Sequence, residues 1–342
     1  MKKIRLGRTE LMVTETSFGA LPIQRLSTED AVKLVRRAYE SGINYFDTAN
    51  SYTDSEYKLG LALSDVRKNI VISTKSAGKD YKTVTAHIEN SLKMLKTDYI
   101  DLLQFHNPAA LSDPDDPDSP YAAALAAKKK GYVRHIGITN HRMKIAREAI
   151  ASGLYETLQF PFSYLASEEE IGLVRLCEEA DMGFIAMKGL AGGLLNNAAA
   201  CAAFMAQYPT VVPIWGIQRE SELDEWLREA EKENKVITPD LQAVIDRDRA
   251  ELVGGFCRSC GYCLPCPMEI DIPQAARMNC LIRRAPAAQY MTREYHAKMH
   301  RIENCIECRA CASRCPYSLD IPNVLKAMLK DYDEMYEKLG EK

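Results

Sequence analysis

The chain lacks any real excess of charge: 44 Lys and Arg against 47 Asp and Glu leave a net charge of −3 over 342 residues. That balance gives no electrostatic reason to expect nucleic acid or an anionic membrane as a partner. Long apolar runs are missing too. Lys2 and Lys3 lead into Ile-Arg-Leu-Gly-Arg, not into the apolar core of a secretory signal. No stretch approaches the roughly 20 apolar residues of a membrane-spanning helix. These absences predict a soluble protein kept in the cytoplasm. Cysteine is absent from the first 176 residues; Cys177 and Cys201 then lie alone, and nine more fall between Cys257 and Cys315. In a cytoplasmic chain, clustering of that kind points to metal rather than disulfides.

What is present is a packed α/β pattern, with 46% hydrophobic and 27% charged residues. Short apolar runs alternate with helical stretches: TSFGA (16–20), INYFD (43–47), NIVIST (69–74), YIDLLQF (99–105), VRHIGIT (133–139), TLQF (157–160), GFIAM (183–187) and VVPIW (211–215). Each reads as a buried parallel strand. Between them, Ser27-Thr28-Glu29-Asp30 opens a helix with capping residues, and Val32, Val35 and Ala38 follow on one face. Further helices are predicted at about 82–96, 121–130, 141–151, 168–181 and 219–232. Eight strand–helix units in this length fit a (β/α)8 TIM barrel. An open doubly wound sheet is the alternative, weakened because no GxGxxG follows the first strand. Asn107–Pro120 is rich in Pro and Asp and reads as a solvated loop at the barrel's C-terminal mouth. The expected domains are a barrel over 1–236 and a cysteine-rich domain over 237–342, the latter with a bridging helix at 239–253 and a closing helix at 322–338.

The cysteine-rich segment is a duplication. Cys257-x2-Cys260-x2-Cys263-x2-Cys266-Pro267 lies parallel to Cys305-x2-Cys308-x2-Cys311-x3-Cys315-Pro316. CPMEIDIPQ (266–274) likewise aligns with CPYSLDIPN (315–323), and each block enters a helix near Pro273 or Pro322. Tetrahedral zinc uses paired CxxC knuckles and has no use for a third evenly spaced cysteine. Two zinc ions and a single cluster are the competing readings. The second block resembles the bacterial ferredoxin motif in full. That resemblance implies two 4Fe–4S clusters with exchanged fourth ligands. One would sit on Cys257, Cys260, Cys263 and Cys315, the other on Cys305, Cys308, Cys311 and Cys266. Cys280 lies outside both motifs and reads as a packed thiol.

Polar residues stand at the ends of three successive barrel strands: Asp47 in FDTANSY, with Tyr52 five residues later, Lys75 in VISTK, and His106 in LLQFH. Barrel enzymes keep their active sites at such strand ends. Taken singly, each is more often a solvated, ion-paired or structural residue. Together, and with KKKGYVRHIGITNH (128–141), they resemble the aldo-keto reductase family over roughly residues 1–230. With the cysteine blocks included, the chain resembles the branch of that family fused to a ferredoxin-like domain.

The resemblance implies NADP(H) or NAD(H) as a cofactor and a small carbonyl or alcohol as substrate. Tyr52 is then the proton donor to the developing alkoxide. An ordinary phenol titrates near 10, and Lys75 beside it is expected to bring that value down, with Asp47 holding Lys75. His106 is expected to orient the carbonyl. Thr139, Asn140 and Gln159 are expected around the nicotinamide carboxamide. The strand-end residues Gly19, Ala20, Met187, Lys188, Gly189 and Leu190 are expected along the cofactor. Gly216, Gln218, Arg219 and Glu225 are expected to face the nucleotide, with Arg219 on a 2′-phosphate. Met187 replaces the family's stacking Tyr, Lys188-Gly189 its Ser-Pro, and Trp226 the Asn after Glu225. A reading of a different class is an iron–sulfur electron-transfer protein that passes electrons to a redox protein partner, with the barrel as a docking scaffold.

Overall fold

The computed structural model describes residues 1–252, 256–284 and 287–341. A short hairpin comes first, β1 (Lys3–Arg5) antiparallel to β2 (Met12–Thr14). The sequence reading gave it no strand, because an end cap of three-residue strands carries too little pattern. Gly7 sits inside its turn at φ +53, and a Cβ there would meet the Gly183 amide at 2.2 Å, so only glycine fits.

The barrel proper follows. Its strands are β3 (Ser17–Gly19), β4 (Tyr45–Asp47), β5 (Val71–Ser76), β6 (Ile100–His106), β7 (Val133–Thr139), β8 (Thr157–Pro161), β9 (Gly183–Met187) and β10 (Val211–Gly216). All pair in parallel, and β10 closes on β3. These are the eight runs read from the sequence, with ends that agree to within two residues. Around them lie α1 (Thr28–Glu40), α2 (Ser55–Leu63), α3 (Tyr81–Met94), α4 (Pro120–Lys129), α5 (Met143–Ser152), α6 (Glu168–Glu179), α7 (Ala198–Met205) and α8 (Glu220–Glu231).

Local chemistry sets many of the boundaries. The Ser27 hydroxyl caps α1 by accepting from the Asp30 amide, and Ser119 caps α4 ahead of Pro120. Ser167 and Glu170 close a reciprocal capping box on α6. The buried face of α1 is Ala31, Leu34, Val35 and Ala38. Val35 and Ala38 of the sequence reading lie on this face, whereas Val32 is only half-buried. Two helices escaped the sequence reading. In α2 nearly every residue is buried, and α7 is almost all alanine and apolar, so neither has a polar face to mark a helical period.

The base of the barrel is filled by Ile4, Leu6 and Val13 from the hairpin region, packed with Tyr45, Val71, Leu102, Ile185, Val212 and Ile214. Above this apolar floor, Asp47, Lys75 and Gln104 lie toward the C-terminal ends of their strands. Two compact units emerge from the contacts: Met1–Gly189 with Asn197–Ile245, and Leu190–Asn196 with Asp246–Lys342. The division falls inside α9 (Pro239–Glu251).

The second unit is built from short helices: α10 (Ile272–Ala275), α11 (Met278–Arg284), α12 (Arg293–His300), α13 (Ala310–Arg314) and the long α14 (Ile321–Leu339). Its two cysteine blocks repeat at several matching backbone positions. Ser259 and Glu307 have φ +51 in both, Glu269 and Ser318 have φ +55 and +53, and Gly261 and Arg309 are also left-handed. Asp271 and Asp320 precede α10 and α14 with φ, ψ of −74°, 74° and −76°, 75°. Among the described residues no helix is long and apolar enough to cross a membrane.

Candidate active site and cysteine centre

Side chains alternate along a strand, so residues two apart share a face. Tyr45 and Asp47 on β4, Ser73 and Lys75 on β5, and Gln104 and His106 on β6 therefore form three inward pairs. Register brings them level, with Asp47 opposite Ser73 and Lys75 opposite Gln104. The Lys75 ammonium donates to Asp47 Oδ2 and to the Thr48 carbonyl, each at 2.6 Å. Asp47 Oδ1 accepts from the Ser73 hydroxyl at 2.6 Å and from Gln104 Nε2 at 3.2 Å. Ser73 in turn accepts from the Tyr45 hydroxyl at 2.9 Å. Lys75 is 1% and Asp47 3% exposed. An ion pair so dry is held by its geometry and its extra hydrogen bonds.

Tyr52 and His106 complete the group. Lys75 Nζ lies 5.2 Å from the centre of the Tyr52 ring, and the Tyr52 and His106 rings meet edge to face at 5.8 Å. The structure thus gathers Asp47, Tyr52, Lys75 and His106 at one strand end. The electrostatics run against one expectation. Burial, and then the Asp47 charge, push the Tyr52 phenol above its ordinary value. The Lys75 ammonium does not offset this, because its hydrogen bonds go to Asp47 and Thr48. Burial also draws Lys75 down, opposed by Asp47. His106 is lowered to about 3 by burial, then by the Lys75 and Lys188 charges. At neutral pH the group is therefore a protonated phenol beside a neutral imidazole.

Two members of the network were missed in the sequence. Ser73 and Gln104 are fully buried and both touch Asp47. The signal was available, since each sits two residues before Lys75 or His106 on the same strand face. Gln104 Nε2 also reaches Gln159 Oε1 at 2.8 Å, while Gln104 Oε1 is buried without a partner.

The residues expected around a nucleotide scatter more widely. Thr139 and Gln159 are opposed in register, and Gln159 Nε2 points at Met187 Sδ, 3.7 Å away. Thioether sulfur is a weak acceptor, which leaves that amide free for a stronger one. Asn140 is already engaged: its Oδ1 accepts from the His141 and Arg142 amides, and its Nδ2 donates to the Pro108 carbonyl. The Gly19 backbone lies against β10, where a Cβ would stand 3.1 Å from the Trp215 carbonyl oxygen. The Ala20 amide donates to the Asp47 carbonyl at 2.8 Å. A Cβ on Gly189 would strike the Trp215 ring at 2.5 Å. Trp215 in turn stacks on Trp226 at 3.8 Å, so the Trp that replaces the expected Asn is a packing residue. Lys188 is half-buried after β9, and Leu190 groups with the second unit. Gly216, Arg219 and Glu225 are exposed, and Gln218 lies within 3.4 Å of Arg25.

In the second unit none of the cysteines is in a disulfide. A cavity is lined by Cys263, Cys266, Cys305, Cys308 and Cys311, together with Arg314. Arg314 also ties the two blocks together by donating to the Leu264 and Pro265 carbonyls at 2.9 and 3.2 Å. The other thiols form a second group: burial raises Cys257, and Cys260 and Cys315 are near enough to raise it further. Cys263 is pushed up to about 12 by burial, then by Cys257 and Cys260. Converging thiols in such surroundings are poor acids on their own and become thiolates when an iron core compensates them. Cys280 is half-buried outside both groups.

The sequence profile described as the aldo/keto reductase family matches residues 15–240. The chain belongs to the aldo/keto reductase family. A second profile, described as a 4Fe-4S dicluster domain, matches residues 256–320. This aldo/keto reductase is 29% identical over 213 residues to an uncharacterized oxidoreductase, YqkF, of Bacillus subtilis; the match takes in 58% of this chain and 67% of the relative. It is 30% identical over 211 residues to L-galactose dehydrogenase of Arabidopsis thaliana, covering 56% and 66%. The chain thus spans about two thirds of the length of these relatives. Among solved structures, an aldo-keto reductase from Bacillus halodurans in its holo form superposes with a TM-score of 0.62 at 23% identity, covering 72% of this chain and 96% of that one. One from Klebsiella pneumoniae, in complex with NADP and acetate, gives 0.59 at 20% identity, covering 72% and 94%. These establish the barrel fold. The protein is therefore an oxidoreductase of the aldo-keto reductase type carrying a C-terminal 4Fe-4S dicluster domain.

Proposed function

We propose that the chain reduces a small aldehyde or ketone with NADPH or NADH, or runs the reverse oxidation of an alcohol, with Tyr52 as proton donor. The observation that carries this reading is the dry Lys75–Asp47 pair beside a half-buried, protonated Tyr52 and a neutral His106. When bound, the nicotinamide supplies a hydride and the 4Fe–4S clusters supply single-electron storage. Hydride arriving at a carbonyl carbon leaves negative charge on its oxygen, and a phenol raised above its usual value is fully loaded to protonate it. The Lys75 ammonium stands 5.2 Å from the ring centre and leaves the phenol un-ionised before hydride arrives. Asp47, tied by Ser73 and Gln104, keeps Lys75 in that position. Neutral His106 offers a hydrogen bond to the carbonyl oxygen without a competing charge. Thr139 and Gln159 are the side chains best suited to a carboxamide. Asn140, committed to local backbone, is assigned to shaping the turn, with one amide hydrogen remaining for the cofactor. Gly19, Ala20, Met187, Lys188, Gly189 and Leu190 are assigned to the cofactor's length, and Gly216, Gln218, Arg219 and Glu225 to its nucleotide end.

We assign residues 1–236 to this chemistry and 237–342 to two 4Fe–4S clusters. Cys257, Cys260, Cys263 and Cys315 would hold one, and Cys305, Cys308, Cys311 and Cys266 the other; the cavity is lined by all four of the second set and by Cys263 of the first. Anaerobic purification followed by iron and sulfide counting tests the cluster assignment. Quenching of protein fluorescence by NADPH or NADH tests the cofactor. Roughly eight irons per chain and saturable quenching are expected. No binding at millimolar cofactor would shift the reading to an electron-transfer protein with a scaffold barrel.

A further inference from the structure

The second unit holds a polar cluster that neither the barrel chemistry nor the cysteines use. His296 and His300 lie four residues apart on α12, and therefore on one face of the helix. Asp333 on α14 faces them, and one ligand-capable atom from each of the three lies within 4.8 Å of the others. All three are half-buried. The imidazoles sit 4.3 Å apart between ring centres, and His296 is backed by Tyr336 at 4.2 Å. His300 Nε2 is 3.1 Å from Asp333 Oδ1, while its Nδ1 is 3.0 Å from Glu303 Oε1.

We propose that His296, His300 and Asp333 form a binding site for a divalent transition-metal ion of the zinc class. Two imidazoles at helical i, i+4 spacing plus one carboxylate are a donor set suited to Zn²⁺, with water in the fourth position. Glu303 supplies what a metal-bound imidazole usually has, a carboxylate on its far nitrogen that fixes the tautomer and raises its basicity. With Nδ1 turned to Glu303, Nε2 is the ligand atom, and that is the nitrogen facing Asp333. Ala297 follows His296, so the helix does not place a general base beside the metal as hydrolytic zinc helices do. Such an ion would pin α12 to α14, where the His296 ring already packs against Tyr332 and Tyr336 at 6.2 and 4.2 Å. It would also steady the Arg301–Asn304 turn that leads directly into Cys305.

The test is a calorimetric titration of the anaerobically purified, iron-loaded chain with Zn²⁺. Measurements are repeated on Asp333→Asn, Glu303→Gln and a His296→Asn/His300→Asn double variant, with melting curves alongside. One equivalent of Zn²⁺ is expected to bind the wild type and raise its melting temperature. Binding is expected to weaken roughly 10- to 100-fold in Glu303→Gln, at least as much in Asp333→Asn, and to vanish in the double variant. Glu303→Gln and Asp333→Asn keep near-isosteric side chains and decide the matter even where the double variant fails to load iron. Absence of saturable binding to the wild type overturns the proposal. So does Zn²⁺ binding that is equally tight in Asp333→Asn and Glu303→Gln, which would assign the ion to thiols.

Discussion

The two units of this chain solve the same problem, gathering several polar ligands at one place, in opposite ways. In the barrel the scaffold comes first. Parallel strands in fixed register hold Asp47, Ser73, Lys75 and Gln104 in a dry layer over an apolar floor, joined by hydrogen bonds of 2.6–3.2 Å. In the second unit the ligand comes first. Most of the motif thiols sit on loops with left-handed residues at matching places, between helices as short as α10 and α13, and burial, then the neighbouring thiols, drive Cys263 away from the thiolate form. Preorganised strands can keep an active site assembled without its cofactor; loops of this kind depend on theirs.

That contrast predicts the largest effect at the cysteines. Cys311→Ser should remove roughly half of the iron and acid-labile sulfide, measured on anaerobically purified protein, and a chelator should collapse the helical signal of the second unit while the barrel's near-ultraviolet dichroism persists. Loss of barrel structure along with the iron would break the comparison. Next comes Asp47→Asn. It leaves the Lys75 charge buried and unpaired, which should cost about 3–5 kcal/mol of stability and lower turnover; the denaturant midpoint and kcat report it.

The pH dependence is smaller and has a definite sign. His106 titrates near 3 in the folded chain but near its ordinary value unfolded. Its contribution to stability is therefore present above about 6.5 and is lost as pH falls toward 3. The rate of carbonyl reduction should stay level from pH 6 to 8 ~ the range where His106 remains neutral; a limb there in kcat/KM would contradict the neutral imidazole. Gln104→Leu should show the least change, about 1 kcal/mol, since one of its amide atoms already lacks a partner.

How much of this was legible in the sequence follows the same division. The cysteine unit was written in spacing: a duplicated motif survives as matching backbone at Ser259 and Glu307, and at Glu269 and Ser318. The barrel was written in alternation, so the eight strands and the tetrad at their ends could be read, whereas α2 and α7, uniformly buried, could not. Neither pattern carries electrostatics. That Lys75 spends its hydrogen bonds on Asp47 and Thr48, leaving Tyr52 raised, depends on distances that no local pattern encodes. The hydrogen bonds that the Asn140 side chain makes to the His141 and Arg142 amides and to the Pro108 carbonyl are equally invisible in its motif.

The most direct measurement compares wild type and Tyr52→Phe in anaerobic NADPH- and NADH-dependent reduction of a panel of small aldehydes and ketones, with iron and sulfide counted on both proteins. The account predicts turnover by the wild type and a fall in kcat of roughly 100-fold or more in the variant, at unchanged iron content. Turnover by Tyr52→Phe at the wild-type rate would contradict it.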